Sequence, residues 1–214
     1  KNFLEHPSSK MHDIVAPTKQ DLNLLNKESI LKFLDKIKPD FVVHCAGRVG
    51  GIQANMADPV SFLNDNAYMS LNVINASYDA GINNFINLGS SCMYPKNANN
   101  PLKEDDILNG ELEVTNEGYA LAKIVAAKLC EYYSAKDKTK KYKTIIPCNL
   151  YGRHDHFDIK TSHLIPSVIR KIHEAKKNGE NQVDIWGDGN ARREFMYAQD
   201  LADLILYAID NFER

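Results

Sequence analysis

Tyr119 and Lys123 stand four residues apart in YALAK, a spacing that puts both side chains on one face of a helix, one turn from each other. A phenol with an ordinary pKa near ~10 is a poor acid or base at neutral pH. A neighbouring ammonium favours the phenolate and is expected to lower that value. The same ammonium can hydrogen-bond a ribose. The pair alone says little, because surface helices carry Tyr and Lys at this spacing by chance. Upstream, GSSCMYP (89–95) closes an apolar run. There Ser90 or Ser91 is able to hydrogen-bond a carbonyl while Tyr119 protonates it. Without the Tyr–Lys pair, Ser90 reads as a turn-forming serine.

The elements that must hold these side chains alternate. Short β-branched runs are expected as strands at IVAP (14–17), DFVVHCA (40–46), NFINLGS (84–90) and KTIIPCNL (143–150). Between them, helices are expected from a cap at Asn26 through Ile37, over 58–80 and over 118–135. Stretches 95–117 and 152–162 read as loops. Near-continuous apolar strands with helices between them predict an α/β fold, a Rossmann-like doubly wound parallel sheet covered on both faces. Ligands of such a sheet sit beyond the carboxyl ends of its strands. Three ends are informative: HCAGRVGG after residue 43, GSSCMYP after 88 and PCNLYG after 146.

A dinucleotide-binding fold normally opens with a strand, a Gly-rich turn and a helix that receives the pyrophosphate. No GxxGxxG run occurs here, and the first residues read as the inside of that first helix. The expectation is a piece of a longer protein. Residues 1–151 would form a nicotinamide-cofactor domain without its first strand and Gly-rich turn. Residues 152–214 would form the start of a smaller, incomplete substrate domain, with a late Rossmann helix.

Composition narrows the class. Lys plus Arg number 26 and Asp plus Glu 28, a net charge of -2, which supports neither a nucleic-acid nor an anionic-membrane partner. No apolar run is long enough to span a bilayer, and KNFLEHPSSK is not a signal peptide. Cys45, Cys92, Cys130 and Cys148 form neither a CxxC pair nor a zinc pattern. Reduced thiols and a cytoplasmic location are expected. No metal is expected: His154 and His156 in RHDHF are loop histidines at i and i+2.

Ser90, Tyr119 and Lys123, in this order on a strand end and the following helix, resemble the triad of short-chain dehydrogenase/reductases. VGGI (49–52), NLGSSCMYPK (87–96), TNEGYALAK (115–123), NLYGRHD (149–155), SHLIP (162–166) and WGDGNARREF (186–195) resemble, in order, the motifs of the GDP-L-fucose synthase family. That family belongs to the extended, NAD-dependent epimerase/dehydratase type. The resemblance implies NADPH-dependent conversion of GDP-4-keto-6-deoxy-D-mannose to GDP-L-fucose, by epimerisation at C3 and C5 and reduction at C4. The C4 ketone acidifies the hydrogens on C3 and C5, so an acid and a base can invert those carbons through an enolate. Cys92 and His163 match the family's residues for this step. A thiol and an imidazole, with ordinary pKa values near ~8.5 and ~6.5, suit proton exchange near neutrality.

The same resemblance assigns binding residues. Tyr119 would give its proton to O4, Ser90 would orient that oxygen, and Lys123 would hold Tyr119 and the cofactor ribose. Leu88, Gly89, Ser90, Ser91, Lys123, Pro147, Cys148, Asn149, Leu150 and His163 would line the cofactor. Leu22 and Asn23, beside Asp21, would lie near adenine, and Lys19 near the 2′-phosphate. Arg193 would meet the nucleotide diphosphate with paired donors. Trp186 would border the substrate, and Lys171 stands where the family has Arg. HCAGR (44–48) replaces a more usual HLAAK, placing Gly47 and Arg48 beside the sugar. A homodimer pairing the helices at 58–80 and 118–135 is implied. Alternatives stay open: a GDP-4-keto hexose or heptose reductase of the same family, a UDP- or dTDP-sugar epimerase or dehydratase, and a non-catalytic NAD(P)- or nucleotide-sugar-binding fragment.

Overall fold

The computed structural model describes residues 1–159 and 161–212; Lys160, Glu213 and Arg214, the last two closing the expected second domain, lie outside them. In chain order the elements are α1 (Asn2–Glu5), α2 (Lys27–Ile37), β1 (Phe41–His44), α3 (Ile52–Ala57), α4 (Pro59–Asp79), β2 (Asn84–Leu88), α5 (Glu117–Lys136), β3 (Lys141–Ile145), β4 (Asn149–Tyr151), α6 (Leu164–Asn178), β5 (Phe195–Tyr197) and α7 (Ala198–Asp210). The chain divides into two compact units, one of Val15–Val49 and Asp58–Pro147, the other of Lys1–Ile14, Gly50–Ala57 and the residues from Cys148 on. Where sequence order suggests a contiguous first domain to 151, the division is discontinuous. Its physical basis is local: α1 packs on α7, and the Gly51 N–H donates to the Thr161 carbonyl at 3.2 Å.

The larger unit is a parallel sheet in the order β1-β2-β3, with Val43 opposite Ile86 and Ile86 opposite Lys143. Helix α2 starts where expected, because the Asn26 side chain accepts from the Ser29 N–H at 3.0 Å. Helix α4 starts at Pro59, whose fixed φ suits a first helical position, with Asp58 capping the Ser61 N–H at 3.2 Å. One core joins these elements: Ile30 and Leu34 of α2, Val73, Ile74 and Ala76 of α4, Phe85 of β2, Ala126 and Cys130 of α5 and Tyr142 of β3. Phe85 and Tyr142 stack at 5.0 Å between ring centroids, tying β2 to β3 on the helix side.

Two strand expectations change. IVAP forms no strand; Pro17 offers no N–H to a ladder. The run 143–150 is two strands, β3 and β4, because Pro147 interrupts the ladder between them.

The smaller unit pairs β4 with β5 in parallel, Leu150 opposite Met196. Helix α7 buries Leu201, Ala202, Ile205 and Leu206. Helix α6 ends on Gly179, whose φ of 74° is the left-handed conformation that glycine adopts without strain.

Candidate active site

Strand β2 ends at Leu88, and Gly89 turns the chain into a 3-10 turn at Ser91–Met93. Gly89 has no room for a side chain: a Cβ would stand 3.0 Å from Met93 Sδ and 3.2 Å from Thr144. The turn is fixed from beneath by the Gly89 N–H on the Ile145 carbonyl (2.8 Å) and the Ser91 N–H on the Pro147 carbonyl (3.1 Å). It is fixed sideways by packing. Met93, Leu112, Ala120 and Ile124 form a buried cluster against which Cys92 and Ile146 pack, so the turn lies on the face of α5 that carries Tyr119 and Lys123.

Helix α5 reaches this position because Gly118 lets its first turn meet α4. A Cβ at Gly118 would lie 3.0 Å from the Pro59 carbonyl oxygen and 3.3 Å from Leu63. The Ser90 hydroxyl then comes within hydrogen-bonding influence of both the Tyr119 phenol and the Cys92 thiol. Lys123 is buried, 4% exposed; its ammonium donates to the Leu88 carbonyl at 2.7 Å and lies 5.7 Å from the centre of the Tyr119 ring. Ser90, Cys92, Tyr119 and Lys123 are thus gathered at one strand end, with Leu88, Gly89, Ser91 and Pro147 as their backbone frame.

The electrostatics differ from the expectation at Tyr119. Burial raises the phenol's pKa above its ordinary 10.0, the Cys92 sulfur adds to the rise, and the Ser90 hydroxyl opposes it. The ammonium donates to the Leu88 carbonyl and stands 5.7 Å from the centre of the ring. Tyr119 is therefore a neutral phenol at neutral pH, the form that donates a proton. Burial also pushes the Cys92 thiol above its ordinary 9.0, opposed by the Ser90 hydroxyl and the Lys123 cation. Desolvation lowers Lys123 below its ordinary 10.5.

Asn66, which sequence reasoning passed over, shapes the neighbouring strand end. It is 1% exposed on α4, accepts from the Arg48 N–H at 2.8 Å and donates to the Arg48 carbonyl at 3.0 Å. This clamp holds the loop after β1 so that a Cβ at Gly47 would be 3.9 Å from the Lys123 ammonium. Its signal was present: an amide at the inward step of Phe62, Asn66, Ser70 and Val73, a 3.6-residue stripe. Arg48 itself turns to the surface, bonding Asp65 at 2.9 Å and Asp58 at 3.0 Å. Lys19 and Asn23 are exposed at the start of the unit, and Leu22 packs on the edge of the main core. Asp21 caps the local turn by accepting from Thr18.

In the smaller unit, Asn149 and Leu150 lie in β4, after Cys148, and the Asn149 amide donates to the Glu194 carbonyl at 3.0 Å. His163 is the exposed residue that opens α6. The Lys171 ammonium donates to the Asp184 carbonyl at 2.6 Å and stands 5.8 Å from the centre of the Trp186 ring. Trp186 is 74% exposed. Arg193 is exposed and donates to the Arg192 carbonyl. Among the described residues, no group of three or more His, Cys, Asp or Glu is placed to hold a metal ion, and no helix is long and apolar enough to cross a membrane.

A parallel sheet with Ser, Tyr and Lys at one strand end defines a Rossmann-like enzyme of the short-chain dehydrogenase/reductase type. The sequence profile of the NAD dependent epimerase/dehydratase family matches residues 3–214. The chain is 55% identical over 214 residues to the GDP-L-colitose synthase of Yersinia pseudotuberculosis, covering 100% of this chain and 70% of that protein. It is 54% identical over 210 residues to the GDP-L-fucose synthase of Azorhizobium caulinodans, covering 98% of this chain and 67% of that protein. The crystal structure of a GDP-L-fucose synthetase from Naegleria fowleri bound to NADP superposes with a TM-score of 0.84 at 30% identity, over 97% of this chain and 68% of that one. The chain belongs to the NAD dependent epimerase/dehydratase family, and it spans about two thirds of the length of these relatives.

The residues at the strand ends suit a nicotinamide cofactor. Among the described residues the buried Lys123 ammonium donates to one carbonyl, and an ammonium carries three N–H donors, a set that fits ribose hydroxyls.

Proposed function

We propose that this chain carries out NADPH-dependent 3,5-epimerisation and 4-reduction of GDP-4-keto-6-deoxy-D-mannose, yielding GDP-L-fucose. The observation that carries the reading is the gathering of Ser90, Cys92, Tyr119 and Lys123 at the end of β2. A triad alone reduces a ketone. A thiol beside that triad adds a group able to exchange a proton at the carbons flanking the ketone. The relatives named for GDP-L-fucose and GDP-L-colitose synthesis support a GDP-sugar substrate.

In this reading Ser90 donates to the C4 oxygen and orients it. The neutral Tyr119 phenol gives that oxygen its proton as the ketone becomes an alcohol. Lys123, anchored on the Leu88 carbonyl, holds the ribose and stabilises the phenolate left behind. Cys92 and His163 are the acid and base at C3 and C5, and the C4 ketone stabilises the enolate between the two proton transfers. Lys123, Leu88 to Ser91, Pro147 to Leu150 and His163, with Leu22 and Asn23 near adenine and Lys19 near the 2′-phosphate, would hold NADPH, which would supply the hydride. Arg193 and Lys171 are assigned to the phosphates of the sugar nucleotide, and Trp186 borders the substrate. Residues 1–151 serve the cofactor and those from 152 on the sugar nucleotide. The enzyme is cytoplasmic and homodimeric, through α4 and α5.

The test incubates the protein, as its gene encodes it, with GDP-4-keto-6-deoxymannose and NADPH, and identifies the product by NMR. GDP-L-fucose is expected. GDP-rhamnose alone means reduction without epimerisation and overturns the assignment of Cys92 and His163. The 55% identity to a GDP-L-colitose synthase favours a second reading, a GDP-4-keto sugar of the colitose series. Competition between the two substrates, read as the ratio of their kcat/KM values, separates the readings.

A further inference from the structure

His163 opens α6 without capping it through its side chain, so its imidazole is placed by the backbone that leads into it. Among the described residues that backbone is held from two sides, and His156 Nε2 lies 2.9 Å from the Thr161 hydroxyl. Asp158 accepts from the Thr161 N–H at 3.0 Å and its hydroxyl at 2.8 Å, and the Ser162 N–H donates to the Asp158 carbonyl at 3.0 Å. From the other side, the Thr161 carbonyl accepts the Gly51 N–H at 3.2 Å.

Gly51 approaches this segment too closely for any side chain. A Cβ there would stand 3.0 Å from the Ser162 carbonyl oxygen and 3.9 Å from that of Thr161. Both are backbone atoms, so the segment itself would have to give way. Asn55 holds Gly51 in place. It is 6% exposed, and its amide donates to the Gly50 carbonyl at 2.9 Å and to the Gly51 carbonyl at 3.1 Å, closing the Gly-Gly turn over the start of α3. The Asn55 N–H also donates to the Gly51 carbonyl, at 3.2 Å.

We infer that Gly51 and Asn55 are positioning residues for His163: the amide of Asn55 fixes the Gly50–Gly51 turn, and that turn is the backstop that sets the 161–163 backbone. The inference rests on the reading of His163 as an epimerisation acid or base. Neither residue touches the sugar; each acts through the backbone before the imidazole. A displaced imidazole slows proton transfer at carbon and leaves the Ser90, Tyr119 and Lys123 reduction in place. The enzyme then reduces more of its substrate before inverting it.

The experiment compares the ratio of epimerised to non-epimerised product, GDP-L-fucose to GDP-rhamnose, in wild type, Gly51→Ala, Asn55→Asp and His163→Gln, all in the protein as its gene encodes it. Gly51→Ala should lower the ratio about tenfold, because small misplacements of a catalytic group carry rate penalties of this order. Asn55→Asp, which loses the two donated bonds, should act in the same direction. In a His163→Gln background Gly51→Ala should change the ratio no further, since both act on one group. A ratio that stays at the wild-type value in Gly51→Ala and Asn55→Asp while His163→Gln lowers it overturns the inference. Loss of total turnover with the ratio unchanged means a merely structural role and overturns it equally. If Asn55→Asp does not fold, Asn55→Ser is read in the same way. A wild-type enzyme that gives no epimerised product refutes the proposed function, and an unchanged ratio in His163→Gln refutes the role of that imidazole. Either result removes the basis of this inference and is recognisable as such.

Discussion

Replacing Asn66 with leucine removes an amide that ties the loop after β1 to α4 at two points and bonds a carbonyl of its own helix at a third. Its oxygen accepts from the Arg48 N–H at 2.8 Å, and its nitrogen donates to the carbonyls of Arg48 at 3.0 Å and Phe62 at 2.7 Å. Leucine keeps the branched shape but is bulkier than the amide, so overpacking adds to the cost of unpairing backbone groups. A buried donor or acceptor left without a partner costs about 1–3 kcal/mol. Two such groups on Arg48, in a loop partly open to water, give a loss of about 2–4 kcal/mol. The catalytic effect follows from Gly47, whose Cβ position lies 3.1 Å from the Asn66 oxygen and 3.9 Å from the Lys123 ammonium. A loop freed at this point no longer walls the ammonium, and a fall in reduction rate of about 10–100-fold is expected.

The control is Arg48→Ala. It removes two exposed ion pairs, at 2.9 and 3.0 Å, and a cation–π contact of 5.1 Å with Phe62, but keeps the backbone clamp. Exposed pairs are worth about 0–1 kcal/mol and the ring contact about 0.5–1 kcal/mol. Urea unfolding at constant slope measures the first quantity, and NADPH oxidation with saturating sugar nucleotide measures the second. The reasoning fails if Asn66→Leu stays within about 0.5 kcal/mol of wild type at full turnover, or if Arg48→Ala costs as much as Asn66→Leu.

Cys92→Ser should slow solvent deuterium exchange at C3 and C5 by at least about tenfold more than it slows reduction, whereas Tyr119→Phe should slow reduction and leave exchange largely intact. Equal loss of both activities in either variant contradicts the separate roles. Because burial holds the Cys92 thiol above 9.0, kcat/KM for exchange should still be rising with pH at 9.0 if the thiolate is the base, and a plateau below that pH contradicts this role. Burial lowers His44, 3% exposed, to about 3, with the Lys123 cation second, while the unfolded chain protonates it near 6.5. Between those values the unfolded state binds the extra proton, so stability rises with pH through this window and levels above it. The contribution lost on acidification is on the order of 5 kcal/mol. His44→Gln should flatten that limb of the stability–pH curve; superimposable limbs would contradict the buried neutral imidazole.

What the chain's residues decide locally was legible in its sequence. Helix α5 and its Tyr119–Lys123 spacing, the cap at Asn26, and the parallel strands β1, β2 and β3 follow from periodicity and short-range hydrogen bonds, which depend on neighbours in the chain. The gathering of Ser90 with Tyr119 and Lys123 followed from the rule that ligands sit at the carboxyl ends of parallel strands. Other features depend on groups far apart in the chain and were settled only when the backbone closed. IVAP has strand composition but no ladder. Gly118 and Gly51 matter for the carbonyls of Pro59 and Ser162 that they approach. Asn66 matters for an amide-to-backbone bridge across 18 residues. The Tyr119–Lys123 spacing predicts a phenol made more acidic; the tertiary structure instead buries the phenol and turns the ammonium to the Leu88 carbonyl. Sequence spacing sets which groups can meet, whereas their protonation depends on how much water and which dipoles the folded chain leaves around them.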